Sequence, residues 1–76
     1  MVLDTPGPEI YIGRFFERQQ SGVVLLDVDF HHEGDQGRSK AEFVSSAAQF
    51  GQWKKLPSKV VPLDEVTSIT RLADHA

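Results

Sequence analysis

Residues 23–32, VVLLDVDFHH, decide the fold. Val24, Leu26, Val28 and Phe30 alternate with Val23, Leu25, Asp27, Asp29 and His31, the two-residue period of a strand. The first set is wholly apolar and is expected to line the core. The second begins apolar and ends polar, so Asp27 and Asp29 are expected in water. Upstream, EIYIGRFFER (residues 9–18) is rich in β-branched and aromatic side chains. In a strand, Ile10, Ile12 and Phe16 share one face and Tyr11 and Phe15 the other. Gly13 is a natural place for a bulge that turns Arg14 outward. Gln19 to Gly22 reads as a turn, which makes the two strands an antiparallel hairpin.

Such a hairpin is apolar on both sides. Antiparallel pairing places Val23 and Leu25 near Phe15 and Glu17, and with Tyr11 and Phe15 they lie opposite the strip expected to form the core. This second face needs its own cover: the sheet closes on itself as a barrel, or another subunit packs there. Tyr11, Phe15, Val23 and Leu25 are therefore the candidate partner-binding residues, with the aromatic pair as anchors. The partner would be another protein or a second copy.

Downstream, EGDQGR (residues 33–38) has no apolar residue and reads as an exposed loop. Ser39 and Glu42 have capping-box spacing. Phe43, Ala47 and Phe50 follow on one helical face and Gly51 suits a C-terminal cap, so the spacing predicts a helix over 40–50. The competing reading is a strand, with Phe43 and Ser45 alternating with Val44 and Ser46. Trp53 to Ser58 reads as a connector, Lys59-Val60-Val61 as a short strand stopped by Pro62, and Leu63 to Val66 as one helical turn. Thr67 to Leu72 reads as a last strand, with a helix over 64–73 as its rival. Residues 1–8 are expected to be a flexible lead-in, 9–73 a single small domain, and 74–76 a frayed end.

The segment VVPLDEVTSITRL (residues 60–72) resembles the closing part of small Sm-like and SH3-like barrels, where a strand, one helical turn and a final strand run in succession. The resemblance implies a fold and carries no function. The expected architecture is mainly β, with α+β as the alternative. It is a small, strongly twisted antiparallel sheet or SH3/Sm-like barrel of 4–5 strands, with one short helix near 40–50.

At 76 residues the chain can bury only a small core. With no cysteine it has neither disulfides nor thiolate ligands. It contains no apolar run near the ~20 residues of a membrane span. Its N-terminus has no basic-then-apolar signal pattern, so a cytoplasmic location is expected. Net charge is −3, divided unevenly: residues 1–37 carry seven acids and two bases, residues 38–76 four acids and six bases. An acidic total argues against a general phosphate-backbone binder.

Catalytic motifs are missing. No phosphate-cradling glycine loop occurs, and Ser45-Ser46 with His31 or His32 lack a nucleophile elbow. No cofactor is expected. The function expected is a non-enzymatic interaction module that binds a protein or itself. Two rivals have named residues. A nucleic-acid-associated barrel would use Arg38, Trp53, Lys54, Lys55 and Lys59, with a base stacked on Trp53, although a tryptophan sealing the core edge is the ordinary expectation. A metal site would use Asp27, Asp29 and His31, which leave one strand face at i, i+2 and i+4, roughly 6.5–7 Å apart per step. That spacing is wide for one ion, and an exposed strand face explains it equally well.

Overall fold

A computed structural model describes residues 1–75. Five antiparallel strands form one sheet: β1 (Val2–Asp4), β2 (Glu9–Gln19), β3 (Gly22–His32), β4 (Leu56–Val61) and β5 (Ser68–Thr70), in the order β4-β3-β2-β1-β5. One helix, α1 (Lys40–Phe50), lies between β3 and β4. The mainly β expectation holds, with the sheet open rather than closed into a barrel. A strand, the 3₁₀ turn Leu63–Glu65 and a final strand do follow one another at the end, as in the barrels that residues 60–72 resemble. The short segment 62–67 joins strands at opposite edges of the sheet, so the sheet must curl to bring those edges together.

The expected flexible lead-in instead contains a strand. Val2 and Leu3 are fully enclosed, and β1 pairs with both β2 and β5. Three residues with no visible period gave no local signal, and the strand exists because two others flank it. Lys40 secures the segment that follows. Its Nζ donates to Asp4 Oδ1 at 2.8 Å and to the carbonyls of Thr5 (2.8 Å) and Gly7 (2.6 Å).

The helix has the predicted bounds and both halves of the capping box. Ser39 Oγ accepts from the Glu42 N–H at 3.1 Å, and Glu42 Oε1 accepts from the Ser39 N–H at 3.1 Å. At its end the Gly51 N–H bonds the Ala47 carbonyl. Its buried face is Phe43, Val44 and Ala47; Phe50, expected on that face, is the helix's last residue and is 82% exposed.

The hairpin departs most from its simple reading. Its loop is the pair Gln20-Ser21, with Gln19 opposite Gly22. A side chain at Gly22 would collide with the Val61 carbonyl of the neighbouring strand, and its φ of 146° also favours glycine. Two bulges break the ladder. Between the pairs Ile12–Asp29 and Arg14–Leu26, β3 has one residue too many; between Phe15–Leu25 and Glu17–Val24, β2 does. The first falls at Asp27, which has a φ of 53°. The bulge anticipated at Gly13 is thus on the partner strand, and Gly13 lets it in: a Cβ there would lie 3.0 Å from Leu25 Cβ and from the Leu26 carbonyl.

An extra residue reverses side-chain parity. Val23, Leu25 and Val28 therefore share one face, with Leu3 and Val61, and all five are almost fully buried; Tyr11, Leu56, Leu63 and Val66 pack around them. The other face buries Val2, Ile10 and Ile12 under Phe43, Val44 and Ala47, with Leu72 beside them. Four expectations for the hairpin are overturned. Val24 and Leu26 are half-buried, Phe30 is 37% exposed, Asp29 is buried, and Phe16, at the second bulge, is exposed. The last strand is confirmed over Ser68–Thr70. Leu72–His75 is a 3₁₀ turn, and His75 Nε2, in the end expected to fray, lies 2.7 Å from Thr70 Oγ1. Ala76 lies outside the described residues.

Candidate functional site

The residues proposed for a metal do not form a site. The bulge puts Asp27 out of phase with its neighbours, and its carboxylate pairs with Arg14 at 3.0 Å. Its carbonyl accepts from Gln52 Nε2 at 2.7 Å. The Asp29 carboxylate is 2% exposed and fully engaged: Oδ1 accepts from the Phe30 N–H (2.9 Å) and faces Lys55 Nζ (3.2 Å), while Oδ2 accepts from the Trp53 N–H (3.2 Å). His31 stacks on Phe43, with centroids 4.8 Å apart and planes 10° from parallel. Among the described residues no group of three or more potential ligands could hold a metal. Asp29 is better understood as the peg that fixes the connector 51–55 across the open end of β3.

The proposed partner face also divides. Val23 and Leu25 are buried in this chain's own core and cannot reach a partner. Tyr11 is half-buried against the same cluster, with Lys59 Nζ 5.8 Å from its ring centroid. Burial pushes its phenol above the ordinary range, reinforced by the carboxylates of Glu9 and Glu65. Phe15 alone stays substantially exposed, at 49%. The four residues do share a face, as the alternation implied. That face became a core because Val61, Leu63 and Val66 are carried over it on the way from β4 to β5.

The uncovered strip lies on the opposite face. Val24 pairs with Val60, and Leu26 sits two residues along on the same side. Val60 is 42% exposed, Val24 and Leu26 are half-buried, and exposed Phe16 sits at the adjoining bulge. Helix length explains the gap. An 11-residue helix spans about 16 Å, whereas the 11-residue strands beneath it run about 35 Å, so α1 covers only the end near β1.

The proposed nucleic-acid residues separate similarly. Arg38, Trp53 and Lys55 line one cleft of about 530 Å³ at the end of β3, with Phe30, His31 and Phe43. Lys59 is instead beside Tyr11, and Lys54 does not line the cleft. Trp53, expected to seal the core, is 79% exposed. Phe43 and the stacked His31 make the floor, and Arg38 and Lys55 lie 5.8 Å and 5.9 Å from the Phe43 centroid. Lys55 also donates to the Phe30 carbonyl at 2.8 Å, where β3 has no β4 partner. The contributions of His31 and Phe43 were not legible, since nothing local links residues 12 apart on a strand and a helix.

No helix among the described residues is long and apolar enough to cross a membrane. Comparisons with protein-family models, curated proteins and solved structures find no match to this chain.

Proposed function

We propose that this chain is a non-enzymatic interaction module that docks onto another polypeptide through the strip Val24, Leu26 and Val60, with Phe16 at its margin. The observation that carries this reading is the exposure of Val60 and Phe16 beside two half-buried aliphatic neighbours on a sheet face that α1 does not reach. Contiguous apolar patches are uncommon on monomers and tend to mark interfaces. Arg14, paired with Leu26 on β2, and Glu17, paired with Val24, give the strip a polar margin of mixed sign, the usual anatomy of a reversible interface.

A second copy of the chain is the partner to test first. Sedimentation equilibrium of the parent should give a mass above the 8.5 kDa of one chain. Val60→Glu should reduce it to that of a monomer with an unchanged thermal melt, because residue 60 sits on the outer face of an edge strand. A parent that stays monomeric at every concentration would remove self-association, and a Val60→Glu variant that keeps the parent's mass would remove this strip as the interface.

A further inference from the structure

The cleft at the end of β3 is separate from the strip and has a chemistry of its own. Its residues come from three places in the sequence: the end of β3, the loop and helix that follow it, and the connector after the helix. Its volume lies in the ~300–1,000 Å³ range of small-ligand sites.

Trp53 combines a fixed backbone with a free ring. Its N–H is held by buried Asp29, yet the residue is 79% exposed. Tryptophans rarely stand this far into water, and an anchored, exposed indole is a ready stacking surface. Arg38 has its backbone fixed too, through the bond from His31 Nε2 to its carbonyl at 2.8 Å. Among the described residues no carboxylate pairs with its guanidinium. Lys55, by contrast, is balanced by Asp29, so the cleft's available cation is Arg38; exposed Asp35 lines the same cleft.

The exposed polar side chains of His32 and Gln36 line the same cleft. The cleft thus offers a stacking ring, polar side chains and a planar cationic fork together. A phenyl ring would leave those polar side chains unused, and a cation would meet the guanidinium of Arg38. A flat heterocycle with polar edges and an attached anion matches all three.

We propose that this cleft binds an unstacked nucleobase carrying a phosphate, with the base on Trp53 and the phosphate on Arg38. A free nucleotide and a single-stranded nucleic acid share that chemistry. Trp53 is the chain's one tryptophan, so its fluorescence reports on the cleft directly.

The test titrates the parent with AMP, adenosine, a short oligouridylate and benzoate while following Trp53 emission, with calorimetry in parallel. Saturable quenching by AMP, weaker with adenosine, identifies a mononucleotide site; quenching by the oligonucleotide alone identifies a single strand. Arg38→Ala should weaken either ligand about ten-fold, as loss of a charge-assisted contact does. Trp53→Ala, followed by calorimetry, should abolish binding, and both variants should melt like the parent. No quenching by AMP or oligonucleotide, equal binding of benzoate, or affinity unchanged in Arg38→Ala would overturn the assignment. If Arg38→Ala proves unfolded, Arg38→Lys replaces it: the charge stays and the fork is lost, so affinity equal to the parent's would also overturn it.

Discussion

Asp27 is the residue at which β3 carries its extra position. With φ at 53° it occupies a region that β-branched residues enter only under strain and that aspartate tolerates. Its bulge flips the faces of β3, so that Leu25 and Val28 point the same way although three positions apart. Asp27→Val should cost about 1–3 kcal/mol, the usual penalty for a strained backbone. Asp27→Gly should stay near the parent, since glycine takes the conformation freely and the lost pair is with an Arg14 side chain that is 73% exposed. Urea unfolding of the three proteins measures this. Equal losses in both variants would mean that the carboxylate, and not the backbone, matters at residue 27. The bulge had one visible cue, Gly13, but that residue marks the space beside it and gives neither its strand nor its position.

At the scale of the element, α1 left clear signals at both ends, although a strand competed for its residues. Ser39, Glu42 and Gly51 fix its ends through bonds within four residues, and such local bonds survive in any tertiary context. Ser39→Ala should cost about 0.5–2 kcal/mol and lower amide protection over residues 40–44. The box also has a pH signature. The bonds from the Ser39 N–H and the Ser39 side chain hold the Glu42 carboxyl below its ordinary value, with Arg38 adding to the effect. A depressed folded pKa gives stability that is present above the unfolded value and lost as pH falls through the folded one. The difference in melting temperature between parent and Glu42→Gln should therefore be full at neutral pH and close as pH drops through the ordinary glutamate range and below it. A gap independent of pH would show that Glu42 contributes without its charge. The strands were legible as types but less so in extent. β4 begins at Leu56, before the Lys59 expected, and β1 had no local signal at all.

At the scale of the molecule, the curl of the sheet decides which strip is core and which is surface. The segment 62–67 carries Leu63 and Val66 over the face of Val23 and Leu25, while α1 stops short of Val24 and Leu26. Leu25→Ala should cost about 2–5 kcal/mol, as truncation of a fully buried leucine does. Leu26→Ala, half-buried, should cost clearly less. Thermal melts of the two variants separate the faces, and a larger loss at Leu26 would return the core to the strip that simple alternation favours.

The sequence by itself pointed to a mainly β protein, to a capped helix over residues 40–50 in competition with a strand, and to a first hairpin apolar on both sides. Each of these rests on period, capping or composition, which act over a few neighbouring residues. Only the tertiary structure decided which hairpin face is buried, that residues 2–4 join the sheet, and that Arg38, Trp53 and Lys55 meet at one cleft while Lys59 does not. Those outcomes depend on one inserted residue at Asp27 and on pairings between distant segments. A parity flip leaves the composition of a strand unchanged, so no local pattern records it.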